Sequence, residues 1–198
     1  MKIKTKTKWF LLVLCLLFVG VFIFLIHDHS AKLADNSVGL AQANLPAETT
    51  VSALPVRLII PSIKIDATIE HLGVLPDGSM DAPAGPNDVA WLDLGTRPGQ
   101  IGSAVIDGHS GYKDNIPAVF DSLNKLKIGD VINVTDDQGI TLSFVVQKVQ
   151  SYKADATVPS VFGSTDGLAH LNLITCDGVW NPAAQTHSSR LVVFAEKE

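Results

Sequence analysis

Residues 171–196 read LNLITCDGVWNPAAQTHSSRLVVFAE: two short apolar runs, Leu171–Cys176 and Arg190–Glu196, with thirteen mostly polar or turn-forming positions between them. Each run has the length and residue types of a strand in a packed sheet. If the two pair as a hairpin, the last residue of the first run, Cys176, comes opposite the first residue of the second, Arg190. That pairing sets a guanidinium beside a thiol. A permanent positive charge there favours the thiolate, and its N–H groups can donate to a developing oxyanion.

Upstream the same texture recurs. Candidate strands cover Val56–Ile60, Ile63–Ile69, Ser103–His109, Val131–Thr135 and Thr141–Val149, punctuated by Pro76-Asp77-Gly78, Arg97-Pro98-Gly99 and Gln138-Gly139. One helix is expected over Ile116–Lys127, where Val119, Phe120, Leu123 and Leu126 follow helical spacing, Asn115 can cap, Pro117 suits the first turn and Gly129 ends it. Seven or eight strands with one or two short helices predict an all-β domain, a closed or nearly closed β-barrel of about eight strands, because closure removes exposed edges. A β-sandwich fits the same pattern.

The N-terminal end has a different composition. Trp9–Ile26 is eighteen residues without a charge. As a helix it would rise about 27 Å, close to the roughly 30 Å hydrocarbon core of a bilayer. It has no polar face, as a buried core helix would. Lys2, Lys4, Lys6 and Lys8 precede it, which places the N-terminus in the cytoplasm and everything after Ile26 outside. A small-x-small cleavage pattern, Ala41-Gln42-Ala43, lies too far downstream for a cleaved signal peptide, so the run is read as an uncleaved single-pass transmembrane signal anchor. The expected organisation is a basic cytoplasmic segment at 1–8, the anchor at 9–26, an extracellular linker at 27–54 rich in Ala, Ser, Asn and Thr, and a catalytic domain at 55–198.

Setting the four N-terminal lysines aside, the remainder carries eleven basic against twenty acidic residues, a net charge of −9. Nucleic acid does not fit as a partner, since the remainder has no net positive charge to neutralise phosphates. Of the two cysteines, Cys15 lies in the membrane run and Cys176 in the exported part, so they cannot bridge. Cys176 is therefore a lone thiol in an oxidising compartment, where cysteines are ordinarily paired.

A third reactive group is His109, ending the run GSAVIDGHSGY between Gly108 and Gly111. Imidazole can protonate a leaving amine and deprotonate an entering one near neutral pH, so Cys, His and Arg together make a workable acyl-transfer site. Leu173-Ile174-Thr175-Cys176, an Arg fourteen positions on at a strand start, and a His sixty-seven positions upstream are similar to the signature of the sortases. The stretches GVLPDGSMDAPAGPNDVAWL (73–92) and PGQIGSAVIDGH (98–109) resemble especially the class F sortases and their relatives, and the resemblance spans roughly Val56–Glu198. Two positions depart from it: Asp107 stands where many relatives have Ala before Gly-His, and Asp177-Gly178 is closer to class A.

The resemblance implies a transpeptidase that cuts an LPxTG-like sorting signal between Thr and Gly, holds the acyl fragment as a thioester, and passes it to an amine of a cell-wall precursor or a pilin. By position, Cys176 is then the nucleophile, His109 the general acid/base and Arg190 the substrate and oxyanion ligand, with Thr175 helping to line the substrate groove. No cofactor is required for that cycle. The competing readings are a cysteine endopeptidase that uses water as acceptor, and a non-catalytic wall-binding β-domain in which Cys176 is a core residue.

Trp180, with Val179, either forms part of the groove wall or packs the loop down, and His187 is a further groove candidate. The remaining histidines show no metal-ligand spacing, and no metal site is expected. His27-Asp28-His29 and the loop acids Asp136, Asp137, Asp155 and Asp166 read as solvated groups.

Overall fold

The computed structural model describes residues 53–112, 116–184 and 186–198. The predicted anchor, the linker as far as residue 52, and the Asn115 cap lie outside the described residues. Among the described residues no helix is long and apolar enough to cross a membrane.

Eight strands form the domain: β1 (Pro55–Ile60), β2 (Ile65–Leu72), β3 (Val89–Leu92), β4 (Gly102–Gly108), β5 (Val131–Asp136), β6 (Thr141–Lys153), β7 (Ala169–Asn181) and β8 (Thr186–Lys197). They close into a barrel in the order β1-β2-β3-β4-β7-β8-β6-β5. The β2–β3 and β4–β7 pairs are parallel and the other pairs antiparallel. The expected all-β closed barrel is what the chain forms. A sandwich is ruled out by the β1–β5 ladder that joins the two ends of the sheet.

Alternation along each strand fills the interior. Leu58, Ile60, Trp91, Ile106, Ile132, Phe144, Leu171, Leu173 and Val193 point inward and are almost completely buried. Strands β4 and β7 are covered on their outer face as well, so their central residues form nearly unbroken buried runs that include the polar Ser103, Asn172 and Thr175. The outer cover is a single helical turn, α1 (Pro159–Phe162), whose Val161 is buried. It is tied to β7 by the Asn172 amide, which donates to the Val161 carbonyl at 2.6 Å.

Three expectations are corrected. The helix over 116–127 is not formed: residues 119–122 are turns and Leu123–Lys125 is a single 3₁₀ turn. Phe120, Leu123 and Leu126 do plug the barrel end as their spacing suggests, but the backbone amides there bond elsewhere. Val119 N–H donates to Pro86 and Phe120 N–H to the His109 carbonyl, while Asp121 accepts from the amides of Ala118 and Gly111. Ile63 ends a 3₁₀ turn instead of starting a strand, because Lys64 adopts φ 58° and breaks the extended run. Finally, the gap between the Cys176 and Arg190 runs is mostly strand: β7 continues to Asn181, β8 starts at Thr186, and residues 182–184 are turn.

Candidate active site

Register builds the site. In the β7–β8 ladder Cys176 is the direct partner of Arg190. Side chains so placed start about 5 Å apart on one face of the sheet. On the other side of β7, the parallel ladder with β4 runs from Gly102↔Ala169 to Asp107↔Ile174, a constant offset of 67 positions. Continued two residues past the last pair, that offset brings His109 level with Cys176, and the period of two puts both on the same outward face. Three residues scattered over the chain thus converge across the neighbouring strands β4, β7 and β8.

The end of β4 is held from inside the barrel. Thr175 is only 2% exposed, and its hydroxyl donates to the Gly108 carbonyl at 2.6 Å. Gly108 has no room for a side chain: a Cβ there would lie 2.6 Å from the Phe120 ring and 3.0 Å from Val119. The close approach lets the plug segment press directly on the backbone just before His109.

His109 Nε2 lies 2.8 Å from the Pro83 carbonyl. A carbonyl only accepts, so Nε2 carries the proton and Nδ1 is the ring nitrogen available for exchange. Tyr112 tilts against the ring at a centroid distance of 5.2 Å, and its hydroxyl donates to the Ala84 carbonyl. The imidazole is therefore gripped from the β2–β3 connection as well as from its own loop.

Arg190 is oriented by its own strand. Nη1 donates to the carbonyls of Ser189 (3.0 Å) and His187 (3.3 Å), and Nη2 donates to Thr186 Oγ1 (3.0 Å). Of the five guanidinium donors, Nε–H and one Nη2–H have no partner among the described residues and face an incoming group.

Cys176 is a free, half-buried thiol. Burial pushes it above the ordinary thiol value; Arg190 opposes that shift, and Asp107 adds to it. Asp107, on the outward face of β4, is itself pushed up to about 7, chiefly by burial, with the Gly108 amide and Arg190 pulling the other way.

Trp180 and His187 are also paired in the hairpin, beyond a register shift between Asp177 and Trp180, with ring centroids 5.1 Å apart and edge to face. Trp180 is 47% exposed, so this pair forms an outer lip of the hairpin, four residues past the thiol. Thr175 faces the barrel interior and touches the site only through Gly108.

Asp107, the Gly108–Phe120 contact and the Pro83 carbonyl were not singled out as site features from sequence. Of these, only Asp107 left a readable signal, lying two positions before His109 and so on its face of the strand. Among the described residues no group of three His, Cys, Asp or Glu side chains is placed to hold a metal. The acids at the turns have local work: Asp136 caps its hairpin through the Gln138 and Ile140 amides, and Asp166 holds the Leu168 amide and His170.

Comparison with known proteins agrees with this geometry. Residues 58–198 match the model of the sortase domain. The structure is similar to sortase C-1 from Actinomyces oris, at 30% identity and TM-score 0.58, over 73% of this chain and 74% of that one. It is also similar to a lid mutant of sortase A from Corynebacterium diphtheriae, at 26% identity and TM-score 0.57, over 73% of this chain and 70% of that one. Sortase C1 from Streptococcus agalactiae, in complex with MTSET, shares the fold at 23% identity and TM-score 0.57, over 72% of this chain and 66% of that one. No curated protein matches the chain by sequence. With the family's domain covering most of its length and the barrel closed in the family's manner, the chain belongs to the sortase family, whose members are generally cysteine transpeptidases.

Proposed function

We propose that this chain is a membrane-anchored sortase that cleaves an LPxTG-like sorting signal between Thr and Gly and transfers the acyl fragment to an amine of a cell-wall precursor or a pilin. The observation that carries the reading is the pair of registers around β7: Arg190 is directly across from Cys176 on one side, and on the other the β4 ladder ends at Asp107↔Ile174, two residues short of His109 and Cys176 at the same offset.

In the proposed cycle the Cys176 thiolate attacks the Thr carbonyl. The two unspent N–H donors of Arg190 meet the oxyanion, and His109, through the ring nitrogen not engaged by Pro83, protonates the departing Gly amine. The acceptor amine returns its proton to His109 and resolves the thioester. Thr175 acts from behind, by fixing the backbone before His109, while Trp180 and His187 border the groove on the hairpin side. Residues 9–26 hold the protein in the membrane with the N-terminus in the cytoplasm, so that the barrel faces the cell wall.

The test is product analysis with an LPxTG peptide, with and without an added amine such as triglycine. A transpeptidase gives the amide-linked product whenever the amine is present. Hydrolysed acid alone in both samples would assign the chain to the endopeptidases.

A further inference from the structure

Asp107 occupies an unusual place. Across the outer face of the sheet the register aligns Glu70 (β2), Ala90 (β3), Asp107 (β4), Ile174 (β7) and Val192 (β8) in one row. The adjacent row holds His109, Cys176 and Arg190. Asp107 is thus one strand across (about 4.8 Å) and two residues along (about 6.6 Å) from Cys176, a backbone separation of about 8 Å. Its direct partners across the sheet, Ala90 on β3 and Ile174 on β7, are apolar, as is Val105 two residues before it on β4, and the α1 turn packs over the same strand. Among the described residues no side chain is hydrogen-bonded to its carboxylate.

The charged and titratable groups facing it are few. They are His109 on its own strand, Cys176 on β7, Arg190 on β8, and Glu70 on β2 beyond the small Ala90; α1 contributes none. A carboxylate on this face, with an imidazole two residues along its own strand, a thiol one strand away and a guanidinium two strands away, acts on the last two. It opposes a second negative charge on Cys176 and draws on the field of Arg190 that would otherwise favour the thiolate.

We propose that the Asp107 carboxylate is a fourth ionisable group of the acyl-transfer site, a positioning residue that works through Cys176 by opposing its thiolate, so that neutralising the carboxylate activates the nucleophile. The proposal rests on the reading of Cys176 as the nucleophile. Above neutral pH Asp107 is ionised over the range in which the half-buried thiol titrates, so its charge acts where it matters. A peptide laid over this face expels water from around the carboxylate and favours its neutral form. Covering the groove thereby removes the like charge beside the sulfur, and the resting enzyme is less reactive than the loaded one.

The experiment measures carbamidomethylation of Cys176 by iodoacetamide across pH in the full-length chain, read by mass spectrometry on the Cys176 peptide so that Cys15 does not contribute. Asp107→Asn, nearly isosteric, is expected to lower the midpoint by about 0.5–1 pH unit. Asp107→Glu is expected to keep the wild-type profile and Asp107→Ala to follow Asn. Coincident profiles for wild type and both neutral variants, with all of them folded by circular dichroism, would overturn the proposal. Incubation of the same proteins with an LPxTG peptide separates the two claims: a shifted profile without any acyl-enzyme upholds the charge coupling and overturns the transpeptidase reading instead.

Discussion

The Thr175 hydroxyl donates to the Gly108 carbonyl across sixty-seven residues of sequence, at 2.6 Å and out of reach of water. Each partner immediately precedes a proposed reacting residue, Thr175 before Cys176 and Gly108 before His109. One buried bond therefore ties the middle of β7 to the end of β4 where the sulfur and the imidazole emerge.

Thr175→Val keeps the shape and removes the donor, leaving the Gly108 carbonyl unpaired in the interior. A loss of about 1–3 kcal/mol of stability is expected by urea unfolding, together with a fall in kcat larger than any change in KM, since His109 loses its register. Thr175→Ser should restore most of both.

Gly108→Ala is expected to be costly without altering any charge. The added methyl would meet Phe120 at 2.6 Å and Val119 at 3.0 Å, so the plug segment must retreat. Overpacking of this kind costs about 1–3 kcal/mol. A thermal melt checks it: the variant should unfold several degrees below wild type.

Much of this was legible in the chain because the decisive features are local. The Cys176–Arg190 pairing follows from where two apolar runs end and begin, and Gly-flanked His109 from the end of another. What was not legible depends on partners distant in sequence. Strand β3 is four residues long and is held between Ile69–Leu72 of β2 and Ile106–Gly108 of β4, while the polar stretch around Gly178 is held as strand by its partners across the hairpin, where the Ser188 hydroxyl takes the Val179 amide. The expected helix failed for the same reason: Pro86 and His109 supply the carbonyls its amides would otherwise seek within the segment.

Arg190 should separate charge from geometry. Arg190→Ala removes the group that lowers the thiol, so the midpoint of Cys176 alkylation moves to higher pH, and transfer falls by about 100- to 1,000-fold. Arg190→Lys keeps the charge but loses the fork anchored on Thr186, Ser189 and His187. It should recover the alkylation midpoint and leave transfer impaired.

Asp107 also predicts how stability responds to pH. Its folded carboxyl is pushed up to about 7 from the ordinary value of 3.8, so between those values the folded chain keeps a proton that the unfolded chain has released. Stability should therefore decline as pH rises through that window, with the loss complete above 7. Urea unfolding of Asp107→Asn should lack this decline. Asp166, lowered to about 2 by the Leu168 amide and then His170, acts in a separate window: its contribution is present above 3.8 and is lost as pH falls towards 2.

The convergence of sulfur, imidazole and guanidinium is tested most directly by trapping the covalent intermediate. Wild type, Cys176→Ala, His109→Ala and Arg190→Ala are incubated with an LPxTG peptide and analysed by intact-mass and peptide-level mass spectrometry. The wild-type chain should gain the mass of the acyl fragment on Cys176, Cys176→Ala should gain none, and the other two should gain it far more slowly. An adduct on another residue, or peptide transfer that persists in Cys176→Ala, would contradict the account.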